Sequence, residues 1–202
     1  MPRRAYVSSV RTSAAAEKRN RVLEAAAKLL REDLSIARFS LEGVAKAAGV
    51  TRLTVYNQFG SRRGLLETVF DDIAREGGLH KIADAMTMAD PREALDRLVE
   101  IFCSFWNRDP AVGRLHVAMA TDPEFAEALR ERNERRRKSL TVLIDRIAVK
   151  TASRKARADA IDTIFALTSY AMFAMLRPGR SAEDVCGLIQ SASRAALEPV
   201  SS

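Results

Sequence analysis

SLEGVAKAAGVTRLTVYNQFGSRRGLL, residues Ser40–Leu66, reads as two short helices joined by a tight turn and followed at once by the start of a third. Leu41, Val44, Ala45 and Ala48 recur at i, i+3, i+4 and i+7, one apolar stripe on a helix of about two turns. Ser40 is placed to cap that helix, with Phe39 and Val44 at the spacing of a hydrophobic staple. Gly49 stops it, because glycine takes the left-handed conformation of a sharp turn without a Cβ penalty. Thr51 caps the second helix, and Val50 and Val55 repeat the staple. Two capped helices around a glycine turn outline a helix-turn-helix.

In the second helix Val55 and Phe59, four apart, face inward. Arg52, Leu53, Thr54, Tyr56, Asn57 and Gln58 are left to project outward or along the flanks. Their side chains suit base edges and phosphates, with Leu53 available for a thymine methyl. Lys46, Thr51 and Arg62 complete the candidate DNA-binding set. The ordered run Ala45, Ala48-Gly49-Val50, Thr54-Val55-Tyr56 and Phe59-Gly60-Ser61-Arg62 resembles the DNA-binding signature of the TetR family of transcriptional regulators. Two positions depart from it. Leu53 stands where many members have a small residue, so base preference is not transferable from a relative. Arg62 stands where many have Lys, which keeps the charge and the reach to phosphate.

Charge placement agrees with a polyanion partner for one end of the chain. The formal net charge is +7. Residues 1–65 hold 13 Lys/Arg against 5 Asp/Glu, a net of +8, and residues 66–202 hold 20 against 21, a net of −1. All the excess lies in the segment with the helix-turn-helix, which a generic solvated basic face does not explain.

Six prolines, nine glycines and the absence of alternating β-branched runs point to an all-α protein. Cys103 and Cys186 are too few and too distant in sequence for a disulfide framework or a metal clip. His80 and His116 belong to no metal-binding spacing, so neither metal nor cofactor is expected. Without an apolar leader or a run of about 18 apolar residues, the protein is expected to be cytoplasmic, with no membrane contact.

In chain order, residues 1–16 form a basic arm with Arg3, Arg4 and Arg11. It is expected to be mobile, either a tail attracted to phosphate at large, the favoured reading, or an arm entering the minor groove. A first helix follows over Glu17–Glu32, then a loop over Asp33–Arg38. Residues 17–65 make the three-helix DNA-binding domain. Ser61 caps a fourth helix, with Arg62 and Arg63 in its first turn as a phosphate seat; its stretch 66–78 links the domains, and Gly77-Gly78 interrupts it. Residues 79–202 form a larger helical bundle, bringing the total to roughly nine helices. Asp90-Pro91, Asp109-Pro110 and Asp122-Pro123 mark helix starts. The charged run Arg130–Lys138 is expected to be a solvated face, with Glu131 and Glu134 pairing locally. One helix is expected over Arg154–Leu176, and a last one opens at Ser181.

The resemblance implies a homodimer that reads two half-sites of a near-palindromic duplex and is a repressor released by a small effector held in the bundle. Phe102, Phe105, Trp106, His116, Met119, Phe165, Tyr170 and Met172 are the candidate effector residues, although plain core packing accounts for each of them too. With few charged residues expected on those inner faces, the effector is expected to be uncharged or weakly polar. Small residues abound in the last two helices, and Ile164, Thr168, Ala171, Met175, Leu188, Ala192 and Ala195 are the candidate dimer interface. Intrachain core explains the same residues. One alternative is a helical adaptor or ligand-binding protein that has lost operator recognition; a second rival, a helical enzyme, is not expected. The second lacks any nucleophile elbow, phosphate loop or paired-carboxylate motif.

Overall fold

The computed structural model describes residues 4–32, 39–121 and 123–201. Among them are eleven α-helices and no strand. The chain divides into two compact units, Met1–Ile73 and Ala74–Ser202.

The first unit contains α1 (Arg4–Glu32), α2 (Leu41–Ala48), α3 (Arg52–Phe59) and most of α4 (Arg62–Glu76). Helix α1 begins at Arg4 rather than at Glu17, so residues 4–16 are helix where an arm was expected. After Pro2 no proline or glycine interrupts a run rich in alanine, and such a run propagates helix readily. Arg3, the side chains of Arg4 and Arg11, and the loop expected over 33–38 lie outside the described residues. Val22, Ala26 and Leu30 of α1 are buried with Phe39, Val44, Ala45 and Val55. Helix α1 packs on α2, and α2 on α3. The five buried side chains of α4, Leu65, Leu66, Val69, Phe70 and Ile73, all fall in this unit. The segment expected as a linker from residue 66 is therefore largely part of the DNA-binding unit's own core. Helix α4 stops at Glu76, ahead of Gly77, and Gly78 takes φ 87°.

The second unit continues with a 3₁₀ turn over Leu79–Lys81 and with α5 (Ile82–Met86), α6 (Pro91–Arg108) and α7 (Pro110–Thr121). Helices α8 (Pro123–Ile147), α9 (Arg154–Leu167), α10 (Tyr170–Leu176) and α11 (Ala182–Ser201) complete it. The helix starts at Pro91, Pro110 and Pro123 stand where the Asp-Pro steps put them, and Asp122 itself lies outside the described residues. Asp90 Oδ1 accepts from the backbone N–H of Arg92 at 2.7 Å, and Asp109 Oδ1 accepts from that of Ala111 at 2.9 Å. Leu95, Leu98 and Phe102 of α6 meet Leu140, Leu143 and Ile144 of α8, Ile164 of α9 and Leu197 and Val200 of α11 in one core. A second cluster joins Val99 and Cys103 of α6, Phe173 of α10 and Val185 and Ile189 of α11. Cys186 packs on it, so the two cysteines, remote in sequence, are neighbours with free thiols. The hydrogen bond to Cys186, and after it burial, pushes the Cys103 thiol well above its ordinary range.

The count exceeds nine partly because the helix expected over Arg154–Leu176 is two, their axes turned by 59°. Thr168 Oγ1 donates to the Ile164 carbonyl at 2.9 Å and Ser169 Oγ to that of Ala166 at 2.7 Å. Ser169 Oγ then accepts from the Met172 N–H at 3.2 Å and starts α10. Adjacent hydroxyls competing for backbone groups break the helix there. No single helix among the described residues is long and apolar enough to cross a membrane.

Candidate nucleic-acid interface and effector cluster

Helices α2 and α3 are each held at both ends. Ser40 Oγ accepts from the Gly43 N–H at 3.0 Å, and Gly49 closes α2 at φ 64° with the Val50 N–H on the Ala45 carbonyl at 3.0 Å. Thr51 Oγ1 accepts from the Thr54 N–H at 3.1 Å, and the Gly60 N–H donates to the Tyr56 carbonyl at 2.7 Å. Helix α3 has eight residues and buries only Val55 of them. So short a helix gains little from propensity, and its caps carry much of its stability.

Contacts that the sequence did not signal fix the end of α3 and the start of α4. The Arg19 guanidinium of α1 lies 4.6 Å from the Phe59 ring centroid and donates to the Gln58 carbonyl at 3.5 Å. Arg62 Nε donates to the Phe39 carbonyl at 2.8 Å, tying the start of α4 to the residue before the α2 cap. At Gly64 a Cβ would stand 2.2 Å from the Phe59 carbonyl oxygen, so α4 can leave the end of α3 this tightly only with glycine there.

What remains outward is a narrower set than expected. Arg52, Leu53, Tyr56 and Asn57 share the exposed side of α3, with Leu53 65 % and Tyr56 55 % exposed. Lys46 and Thr51 are exposed beside them. Thr54 is half-buried, its hydroxyl 2.9 Å from that of Thr51, so its first role is in the cap. Gln58 is half-buried with Oε1 enclosed. The expected phosphate seat at α4 is also modified. Arg62 bonds Phe39, Arg63 Nε bonds Glu67 Oε1 at 2.7 Å, and Ser61 Oγ accepts from the Gly64 N–H at 2.9 Å.

In the second unit Phe102, Phe105, Trp106, His116 and Tyr170 do come together. Trp106 lies 4.8 Å from Phe105, 6.2 Å from Phe102, 5.9 Å from His116 and 5.6 Å from Tyr170, between ring centroids. Phe102 and Phe105 are buried, and Trp106, His116, Phe165, Tyr170 and Met172 are half-buried. Gly113 makes room for the Tyr170 hydroxyl, which would lie 2.1 Å from a Cβ at that position. The side chain of Met119 lies outside the described residues.

The residue that links Phe165 to this cluster is Arg136, which the reading of Arg130–Lys138 as a solvated face overlooked. Arg136 is 8 % exposed. Its guanidinium lies 4.2 Å from the Phe165 centroid and 5.8 Å from that of Phe102. Arg136 Nη1 donates to the Thr168 carbonyl at 2.9 Å, and Trp106 Nε1 donates to the same oxygen at 3.1 Å. Burial, and then the neighbouring Arg137 cation, pull its pKa down to about 10. It remains charged at neutral pH, which removes the premise that few charges face inward. Burial, and then Arg136, hold His116 below the ordinary histidine value. Elsewhere in the run, Arg130 pairs with Glu127 and Arg137 with Asp162, in place of the pairing expected from Glu131 and Glu134.

Residues 89–191 match the family model for a tetracyclin repressor-like C-terminal domain, and residues 22–69 match that for bacterial regulatory proteins of the tetR family. The chain belongs to the TetR family. The HTH-type transcriptional regulator EthR of Mycolicibacterium smegmatis is 32 % identical over 112 residues, 54 % of this chain. That match spans about half, 51 %, of EthR's length. A TetR-family transcriptional regulator from Streptomyces coelicolor has a similar fold, with a TM-score of 0.70 at 20 % identity over 95 % of both chains. So does a transcriptional regulator from Saccharomonospora viridis solved with choline, with a TM-score of 0.61 at 17 % identity over 87 % of this chain and 95 % of that one. In this TetR-family chain two of the residues expected at a dimer interface are not at the surface. Ile164 is fully buried in the core shared by α6, α8 and α9, and Thr168 is 2 % exposed at the break after α9. Their small or branched side chains signalled close packing, and that packing lies within the subunit. Ala171 and Met175 of α10 and Leu188 and Ala195 of α11 are exposed, and Ala192 is half-buried.

Proposed function

We propose that the chain is a cytoplasmic, homodimeric, operator-binding repressor whose hold on DNA is released when a small molecule binds its second unit. The observation that carries the DNA-binding half is the outer face of α3, where Arg52, Leu53, Tyr56 and Asn57 stand exposed on a helix capped at both ends. Arg52 and Asn57 supply donors and acceptors for phosphates and base edges. Leu53 and Tyr56 are large apolar surfaces whose exposure is costly in water and useful against thymine methyls and sugars. The charge of +8 over residues 1–65 provides the sequence-independent attraction.

A lone helix-turn-helix spans few base pairs, so a two-fold pair with recognition helices about 34–36 Å apart is the economical way to specificity. Met175, 71 % exposed, and Leu188, 43 % exposed, support a subunit contact through α10 and α11. An open groove of about 440 Å³ lies between α9 and α11, lined by Ala156, Thr163, Ala192 and Ala196 among others. The effector reading rests on the ring cluster around Trp106. The test is selection of bound duplexes from a random pool. A near-palindromic consensus is the expected result, and its loss with Asn57→Ala ties it to α3. Recovery of unrelated duplexes alone would leave the adaptor reading in its place.

A further inference from the structure

The guanidinium of Arg136 is a buried cation with a surplus of donors. It is 8 % exposed, and among the described residues no carboxylate forms an ion pair with it. Its Nε is enclosed without an acceptor, and Nη1 shares the Thr168 carbonyl with Trp106 Nε1. The charge acting on it is another cation, Arg137, itself paired with Asp162. The faces of Phe165 and Phe102 and the carbonyl end of α9 offset part of the cost of burying this charge. Of the planar fork of N–H groups that distinguishes arginine from lysine, only Nη1 is engaged, by a single carbonyl that cannot match two parallel donors. The half-buried polar side chains nearest the ring cluster, Trp106, His116 and Tyr170, offer N–H or O–H groups and no negative charge. A set of donors beside an uncompensated cation lacks one chemical component, an anion that only accepts.

We infer that the effector of this chain is a small organic carboxylate, held by the Arg136 fork with its apolar body against Trp106, Phe165 and Tyr170. The inference rests on the reading of this cluster as the effector site and replaces the uncharged ligand expected from sequence. A carboxylate matches the fork in two parallel charge-assisted bonds and neutralises the buried cation in the same step. The ring faces beside it accept aliphatic or aromatic carbon.

Trp106 is the only tryptophan in the chain, so emission excited to the red of tyrosine absorption reports on this cluster alone. Full-length protein is titrated with hexanoate, octanoate, decanoate and phenylacetate, each against its primary amide. At least one carboxylate is expected to quench Trp106 at concentrations about tenfold or more below its amide, as charge-assisted bonds exceed neutral ones. Arg136→Met should bring that pair level, and Arg136→Lys should keep a weaker preference for the acid, since charge survives and the fork does not. Unliganded Arg136→Met should melt at or above the wild-type temperature, because it buries the same carbon without the charge. Equal binding of acid and amide, no quench by any acid, or a preference that survives Arg136→Met overturns the inference. So does a sharp fall in the melting temperature of the unliganded Met variant, which would mark Arg136 as a cap for α9. The acids that bind are then added to a complex with a selected duplex. Release by amides as well as acids would sink the anion and spare the release reading; binding of acids through Arg136 with the DNA complex intact would do the reverse.

Discussion

Arg62 is expected to serve two purposes that a pair of substitutions separates. Within the fold its Nε donates to the Phe39 carbonyl at 2.8 Å, tying α4 to the entry of α2. Because Arg62 is half-buried, that bond contributes about 1.5 kcal/mol, the low end for a bond with a charged partner. Its charge also lies at the edge of the proposed DNA face. One phosphate contact changes the slope of log K against log salt by about 0.9. Raising salt from about 50 to about 200 mM should therefore narrow the advantage of wild type over Arg62→Ala by about 3.5-fold per bound subunit. Thermal melts and fluorescence anisotropy over a salt series, on two duplexes of unrelated sequence, read both effects. Arg62→Ala should lower the melting temperature and flatten the slope equally on the two duplexes. Arg62→Lys should lower the melting temperature and leave the slope. If the loss of affinity differs between the duplexes, or the slope of the Ala variant matches wild type, the phosphate assignment is wrong.

Thr51→Ala should destabilise the first unit by about 0.5–2 kcal/mol through loss of the α3 cap, with Thr51→Ser close to wild type in chemical denaturation. Gly64→Ala should cost about 1–3 kcal/mol and reduce binding to every duplex, since its Cβ meets the Phe59 carbonyl; a stability within error of wild type would refute the close approach. Asn57→Ala should change base preference by about 1–3 kcal/mol in a randomised-site selection, and an unchanged consensus removes it from the reading set. Burial, and then Arg136, depress the His116 pKa, so the unfolded chain binds the proton more readily than the folded one. The stability this provides is complete above the ordinary histidine value of 6.5 and is lost as pH falls below it. His116→Gln should accordingly flatten the fall in melting temperature between about pH 7 and pH 5. Met175→Glu with Leu188→Glu should yield monomers by light scattering and leave the core intact, both side chains being exposed; a persistent dimer would move the interface elsewhere.

The local devices of this protein were legible in its sequence. Ser40, Gly49 and Thr51 cap and break α2 and α3 as their chemistry requires, and the Asp-Pro steps start α6 and α7 where they stand. Such signals act over a few residues, so the order of residues is enough to read them. Periodicity likewise assigned Val44, Ala45, Ala48 and Val55 to the interior. It did not tell Ile164 and Thr168, buried in their own subunit, from Met175 and Leu188, left at the surface, because small and branched side chains suit either kind of packing. The same limit hid Arg136. In ERNERRRK its neighbours are charged and solvated, and only the meeting of α6, α8 and α9 determines that this one guanidinium is turned toward Phe165 and the Thr168 carbonyl. Arg19 on Phe59 and Arg62 on Phe39 are further cases. An arginine has the reach to be a surface charge, a cap or a buried partner, and which of these it becomes depends on side chains brought to it from elsewhere in the chain.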